Sequence, residues 1–196
     1  MLTYLNVDFQ DKIYDLQGDG PEFDYGVWMD HREELCLDFP NLPYYIDGPT
    51  KLTESGAIMK FIAAKYDAKL LGVGAHEIGN VEMMFGVVMD MKIDVTVKCY
   101  TTDNKELTEE FIYGHLKGIE KYLGSKKFLV GDNVTYVDFI FFELLNLCDF
   151  VTEGKLFEEH GTIKAYVERM KDLNNVRAFF ESHATQGLKF NNKMAK

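Results

Sequence analysis

The sequence holds 196 residues, which is enough for one large domain or two small ones with a substantial hydrophobic core. The formal net charge of −11 and the isoelectric point near 4.9 disfavour binding to a phosphate backbone, so we expect no nucleic-acid partner. The N-terminus has no basic, apolar leader pattern, and the most apolar stretch, residues 139–147, contains Glu143 and is too short to span a bilayer. These features predict a soluble protein without a membrane partner.

The first third of the sequence predicts a mixture of short strands and helices. Lys12–Leu16 is predicted to form a strand. Residues 44–46 and 51–53 are predicted to pair as a hairpin, because Asp47-Gly48 between them is a strong turn signal. The apolar residues from Ala57 to Tyr66 then recur at helical spacing and predict a helix that covers one face of the sheet.

From about residue 76 the apolar pattern is helical throughout. One helix of this half is predicted to begin at Thr135, where Asp138 completes a capping-box arrangement with Asp in the usual Glu position. The other predicted helices of this half are residues 78–91, 107–123, 163–173 and 176–183.

The change from a mixed to a helical pattern falls at residues 67–74, which read DAKLLGVG. We therefore predict an α+β protein in which a small α/β domain, residues 1–67, precedes an all-helical domain, residues 75–196. The sequence contains no internal repeat and no low-complexity tract.

The three cysteines, Cys36, Cys99 and Cys148, are odd in number and widely spaced. They form no CxxC pair and no ligand-like cluster, so the sequence suggests neither a disulfide framework, nor a metal site, nor a thioredoxin-type redox centre. Free thiols are typical of a reducing compartment, and we expect a cytoplasmic location.

The stretch DFPNLPYYIDGPTKLTESGAI, residues 38–58, places two prolines beside a strand, where each proline removes a backbone donor. A cis peptide at Leu42-Pro43 would turn the backbone of Leu42 outward and leave its N–H and C=O free to pair with an extended ligand. Ser55 at a helix N-terminus suits an anion and Glu54 beside it suits an ammonium, which together describe the α-carbon end of an amino acid. The alternative is an ordinary edge or turn followed by an ordinary helix cap.

Residues 38–66, DFPNLPYYIDGPTKLTESGAIMKFIAAKY, resemble the glutathione-binding signature of the glutathione S-transferases, closest to the mu class. The segments MDMKIDVTVKCY and FLVGDNVTYVDFIFFELLN extend this resemblance through the helical half, so that it covers essentially the whole chain. The resemblance implies a thioredoxin-like domain followed by an all-helical domain, usually paired as a homodimer. It also implies that the protein conjugates glutathione to electrophiles, with glutathione as the ligand and no metal.

The resemblance implies a role for each matching residue of the glutathione site. Asn41 and Leu42 would lie against the glutathione backbone, and Pro43 would be the cis-proline. Glu54 and Ser55 would hold the γ-glutamyl end, although the mu pattern has Gln where Glu54 stands and Glu-Ser occurs in other classes.

The glycine carboxylate of glutathione would be held by Trp28 and Arg32, one helical turn apart. Arg suits this role because it offers paired, charge-assisted donors. Mu proteins usually carry Lys where Arg32 stands and a further Arg where Tyr25 stands, so weaker carboxylate binding is expected here.

Three further residues match positions near the electrophile or the partner subunit. Asp90 would reach across the dimer toward the γ-glutamyl ammonium, Tyr100 would face the electrophile, and Phe39 would insert into the partner. The plain alternatives are an ordinary core residue for Phe39, an ordinary solvated acid for Asp90 and a packing aromatic for Trp28.

One departure from the family pattern concerns the chemistry directly. The family's first strand, which ends in the tyrosine that activates the thiol, has no match here, and Met1–Leu5 align inside the first helix. A free thiol has a pKa of about 8.5 and the thiolate is the nucleophile, so we expect low activity in the chain as numbered.

Two explanations of this departure stay open. The start site of the chain is misassigned, or the chain is short by nature and its sheet edge is covered by neighbours in a larger assembly. In the second case the protein could be a catalytically inactive structural or interaction subunit. Its partner would be a second copy or a closely related chain.

Overall fold

A short helix and a two-stranded hairpin open the fold. The computed structural model of the chain describes residues 1–15, 24–182, 190, 191 and 195. Within them, helix α1 spans Gly26–Met29, and strands β1 (Tyr44–Asp47) and β2 (Thr50–Thr53) pair antiparallel, with Tyr44 opposite Thr53. Gly48 takes a φ of +58° at the turn, a conformation that glycine adopts without steric cost. The predicted hairpin is confirmed.

Helices make up most of the rest of the described chain. The predicted helices are confirmed, most of them with bounds that differ by a few residues. The helix predicted at 78–91 is much longer than expected, since it spans 28 residues, Gly74–Thr101, and residue 183 of the last predicted helix lies outside the described residues. The short helix at Lys155–Glu159 was not predicted, because five residues are too few to show a helical period. The helices are α2 (Ser55–Tyr66), α3 (Gly74–Thr101), α4 (Lys105–Leu123), α5 (Tyr136–Val151), α6 (Lys155–Glu159), α7 (Gly161–Lys171) and α8 (Val176–Glu181), with a 3-10 helix at Ala68–Leu71. None of the helices in the described ranges is long and apolar enough to cross a membrane.

The hydrophobic core is centred on α5. Most of its side chains are buried, Phe141 and Leu144 completely, and α3, α4, α6 and α7 pack around it. Each fully buried large apolar side chain contributes about 1.5–3 kcal/mol, so this helix dominates the stability of the helical half.

The start of α5 carries the predicted capping box, which is confirmed. The backbone N–H and the hydroxyl of Thr135 donate to Asp138 Oδ2 at 2.7 and 2.8 Å. The other carboxylate oxygen of Asp138 accepts from the backbone N–H of Leu129 at 2.8 Å. Burial raises the pKa of Asp138, while these donors oppose the rise. The side chain therefore fixes both the helix start and the loop before it.

The predicted domain boundary at residues 67–74 is a tight connection. Leu70 is buried, and Gly72 has a φ of +92° with its Cα close to the backbone of α3. A Cβ at Gly72 would lie 2.9 Å from the backbone N of Ile78, so a side chain would force the connection apart. The division into residues 1–67 and 75–196 stays a prediction.

The prediction of a strand at Lys12–Leu16 is wrong for the residues that the structure describes. Residues 12–15 have no regular secondary structure, and Leu16 lies outside the described residues. A strand needs a neighbour for its hydrogen bonds, and within the described chain β1 pairs only with β2. Residues 1–6 form a helical turn instead, in which the N–H of Leu5 donates to the carbonyl of Met1 at 3.1 Å.

Candidate functional site

The loop before β1 and the start of α2 lie side by side. The Leu42-Pro43 peptide is cis, as expected, and Asn41, Leu42 and Pro43 are exposed. Asn41 Nδ2 lies 3.5 Å from Glu54 Oε1, which joins the loop to the residue before α2. The fold thus brings together five predicted site residues: Asn41, Leu42, Pro43, Glu54 and Ser55.

The N–H of Leu42 is not free, contrary to the sequence-based expectation. It donates to Asn41 Oδ1 at 2.9 Å. A backbone N–H without a partner costs free energy, so the neighbouring amide oxygen takes the place that a ligand carbonyl would occupy. Binding of an extended ligand at Leu42 therefore requires the Asn41 side chain to rotate.

Glu54 holds an uncommon backbone conformation at the start of α2. Its φ of +68° lies in the left-handed region, which a residue with a side chain adopts at a cost of about 1–3 kcal/mol. The first helical hydrogen bond runs from the N–H of Ile58 to the carbonyl of Glu54 at 3.0 Å. The first turn, which is fully described, carries no acidic residue. Its unpaired N–H groups and the helix dipole are therefore available to a carboxylate.

An aromatic cluster surrounds Trp28. Its ring stacks on Tyr44 with centroids 6.1 Å apart, and Tyr14 meets it edge-on at 5.3 Å. The hydroxyls of Tyr14 and Tyr44 are 3.0 Å apart. Burial, together with the Tyr14 hydroxyl, raises the pKa of Tyr44 to about 12, so its hydroxyl stays protonated at neutral pH. Sequence reasoning missed both tyrosines, and no local pattern connects Tyr14 with Trp28.

Arg32 lies one helical turn after Trp28, as predicted. Its backbone N–H donates to the carbonyl of Trp28 at 3.0 Å, and its side chain is partly exposed. Arg32 Nε lies 3.1 Å from Glu33 Oε1 without hydrogen-bond geometry. Arg32 Nε itself is buried, and a pair without hydrogen-bond geometry on a partly exposed side chain is worth about 0–1 kcal/mol, so Glu33 holds the guanidinium only weakly.

The remaining predicted residues lie on other elements. Asp90 is exposed on α3, and Tyr100 is half-buried in the last turn of the same helix, about 15 Å further along its axis. Phe39 is 79% exposed, which excludes the alternative of an ordinary core phenylalanine. Within the described residues, no hydrogen bond or ring contact joins Asp90 or Phe39 to the loop at 41–43 or to Glu54 and Ser55.

The described residues contain no group of three or more His, Cys, Asp or Glu side chains arranged to hold a metal ion. All three cysteines are free thiols: Cys36 is exposed, and Cys99 and Cys148 are buried.

The sequence of this chain is similar to those of known glutathione S-transferases. The family model "Glutathione S-transferase, C-terminal domain" matches residues 89–183. Glutathione S-transferase B of Cavia porcellus is 33% identical over 93% of this chain and 83% of its own length. Glutathione S-transferase Mu 3 of Homo sapiens is 31% identical over 100% of this chain and 87% of its own length. A glutathione S-transferase of Dermatophagoides pteronyssinus is 37% identical over 92% of this chain and 82% of its own length.

Solved structures show the same fold. The crystal structure of the glutathione S-transferase Blo t 8 superposes with a TM-score of 0.86 at 24% identity, over 99% of this chain and 90% of that one. A pi-class glutathione S-transferase of Onchocerca volvulus superposes with a TM-score of 0.83 at 22% identity, over 100% and 90% of the two chains. The predicted fold class, a truncated thioredoxin-like domain followed by an all-α domain, is confirmed.

Proposed function

This chain belongs to the glutathione S-transferase family and is mu-like, and from that premise we propose that it binds glutathione beside the loop at residues 38–43. One observation carries the proposal. The exposed loop at residues 41–43 lies against the N-terminus of α2, where Glu54 is the residue before the helix and Ser55 is its first residue.

The γ-glutamyl end of glutathione carries a carboxylate and an ammonium on one carbon. In our proposal Ser55 and the first N–H groups of α2 bind the carboxylate, because they offer donors at the positive end of the helix dipole. Glu54 accepts from the ammonium. The backbone of Leu42 pairs with the cysteinyl residue after Asn41 has rotated away from the Leu42 N–H.

The glycine end of glutathione would lie at α1. Arg32 binds the glycine carboxylate through charge-assisted donors, exchanging its weak pair with Glu33 for the ligand. Trp28 provides a flat surface held in place by Tyr14 and Tyr44. Tyr25, where mu proteins usually carry a further Arg, is 47% exposed and contributes no charge.

The reaction we propose is conjugation of glutathione to an electrophile. The thiol proton leaves to solvent, the sulfur forms a bond to the electrophilic carbon, and an aryl halide substrate releases halide. Asp90 and Tyr100 keep the roles that the family resemblance implies, at the γ-glutamyl ammonium of a partner's site and on the electrophile side.

Slow turnover is part of the proposal for these 196 residues on their own. None of the residues that match the family's site is the tyrosine that donates a hydrogen bond to the sulfur. Removal of one such donor typically costs about 100- to 1000-fold in rate.

The proposed partner is a second copy of this chain or a related chain. Large apolar side chains are exposed along α3, among them Met83, Val87, Ile93 and Val97, and Phe39 is 79% exposed. Exposed large apolar side chains that recur along one helix are typical of an interaction site in soluble proteins. We also propose a cytoplasmic location, which agrees with three free thiols.

Calorimetric titration of the 196-residue chain with glutathione tests the proposal. We expect binding that weakens at least tenfold in Ser55→Ala and in Glu54→Ala, each of which removes the side-chain group assigned to the γ-glutamyl end. Ser125→Ala, an exposed serine in the loop after α4, is the matched control and should bind as the unaltered chain does. No heat at millimolar glutathione, with the fold intact by circular dichroism, would reject the proposal. Binding without any turnover of an aryl halide would favour the inactive-subunit alternative.

A further inference from the structure

The second turn of α2 is tied to the helical half by an ion pair. Lys60 Nζ donates to Glu82 Oε2 of α3 at 2.7 Å, and the same ammonium lies 4.6 Å from the centre of the Phe85 ring. Lys60 follows Ser55 by five residues, so it sits a turn and a half beyond the start of α2. Both side chains of the pair are partly exposed, and the attraction alone would be weak in water.

A buried hydroxyl fixes the other end of this pair. Tyr136 Oη donates to Glu82 Oε1 at 2.9 Å, and Tyr136 itself is completely buried as the first residue of α5. Burial raises the pKa of Tyr136 well above its ordinary value, so the hydroxyl stays a donor. The capping box at Thr135 immediately precedes Tyr136 and sets its backbone. The Tyr136 hydroxyl therefore holds the Glu82 carboxylate in place independently of the ion pair with Lys60.

The first turn of α2 rests on the same group of side chains. A Cβ at Gly56 would lie only 2.6 Å from Cζ of Phe85, so the helix approaches this ring as closely as glycine permits. Phe85 in turn packs on Tyr136, with ring centroids 5.8 Å apart. Tyr136 is thus connected to the first two turns of α2 in two ways, through the ion pair between Glu82 and Lys60 and through packing on the Phe85 ring.

We propose that Glu82 and Tyr136 are positioning residues of the glutathione site. They hold the start of α2 in the helical conformation in which Glu54 and Ser55 face the loop at residues 41–43. This inference rests on the proposed function, and neither residue touches the ligand. The affinity of a ligand that requires an ordered helix start is proportional to the fraction of molecules in which that start is ordered, so any loss of order weakens binding.

Two variants remove the anchoring without changing the shape of the site. Tyr136→Phe keeps the ring and deletes the hydroxyl, and Lys60→Met keeps the stem and deletes the ammonium. Hydrogen exchange at the amide of Ile58, the donor of the first helical bond of α2, reports the order of the helix start directly. We expect this amide to exchange about tenfold faster in both variants. The glutathione Kd should rise by at most the same factor, because it depends on the fraction of molecules in which the helix start is ordered, with kcat at saturating glutathione unchanged.

Two controls separate positioning from general stability. Glu143→Gln breaks the ion pair between Lys92 and Glu143, which also joins α3 to α5 but does not reach α2, and it should leave Ile58 exchange and the Kd unchanged. Lys60→Arg keeps the positive charge, so its Ile58 exchange rate and its glutathione Kd should equal those of the unaltered chain. Unchanged Ile58 exchange in Tyr136→Phe and Lys60→Met, in a chain that binds glutathione, would overturn this inference alone. Faster exchange in a chain that binds no glutathione would overturn the proposed function instead.

Discussion

Tyr166 of α7 donates its hydroxyl to Asp138 Oδ1 of α5 at 2.7 Å, and both side chains are completely buried. Asp138 therefore does more than cap its own helix. It accepts from Thr135, from the backbone N–H of Leu129 and from Tyr166, so one carboxylate joins a helix start, a loop and a neighbouring helix.

Tyr166→Phe should destabilise the protein by about 1–3 kcal/mol, because it deletes one donor to a buried carboxylate and leaves the ring in place. Urea unfolding followed by circular dichroism measures the change. Tyr122→Phe is the control, since the Tyr122 ring is covered by Lys126 at the surface, and its effect should stay below about 0.5 kcal/mol. Equal effects in the two variants would contradict the role given to the Tyr166 hydroxyl.

Gly56→Ala should destabilise by about 1–3 kcal/mol, because its Cβ would press on the Phe85 ring in a packed contact between α2 and α3. Gly118→Ala lies in the interior of α4 with open space around it, and should be neutral or stabilising by up to about 1 kcal/mol. Thermal unfolding of the two variants checks the contrast. Phe85→Leu combined with Gly56→Ala should recover part of the loss, and no recovery would argue against this contact.

Phe39→Ala should shift the protein toward monomer, because a buried aromatic anchor in an interface is worth about 2 kcal/mol or more. Sedimentation velocity at micromolar protein measures the shift. Phe150→Ala removes another strongly exposed phenylalanine, at the end of α5, and should leave the profile unchanged. A Phe39→Ala sedimentation profile identical to that of the unaltered chain would contradict the proposed role of Phe39 in a dimer contact.

The rate of conjugation by the 196-residue chain should climb with pH toward the pKa of a free thiol, about 8.5. The reason is that solvent, rather than a protein hydroxyl, removes the thiol proton in the proposed reaction. A pH–rate profile with an aryl halide at saturating glutathione decides the point. A plateau already reached at neutral pH would show that a residue of this chain activates the sulfur.

Asp47 should support the fold at neutral pH and lose that support in acid. The Lys65 ammonium, with the hydroxyls of Tyr45 and Tyr66, lowers the pKa of Asp47 below its ordinary value. A lowered folded-state pKa means that the stabilisation is present above the unfolded pKa, about 3.9, and is lost as pH falls through the folded value. The stability gap between the unaltered chain and Asp47→Asn should therefore be full at pH 7 and shrink below about pH 4. A gap that is constant from pH 7 to pH 3 would contradict this assignment.

The candidate site was predictable where its signals are local. The loop at residues 41–43 and the Glu54-Ser55 pair lie within one short segment, and the cis Leu42-Pro43 peptide and the helix start are both where the residue types indicate. The state of the Leu42 N–H was not predictable, because it depends on the rotamer of Asn41. The aromatic support of Trp28 comes from Tyr14 and Tyr44, and no spacing in the sequence joins these three residues.

The sequence by itself determined the hairpin, the long helices and the capping box at Thr135 and Asp138, because a turn signal, a helical period and a cap each act over a few neighbouring residues. The tertiary structure alone decided that residues 12–15 form no strand and that Lys60, Glu82 and Tyr136 meet. A strand requires a paired neighbour, and a network across three helices requires those helices to pack at one angle and depth. Both depend on contacts between residues far apart in the chain, which local preferences do not specify.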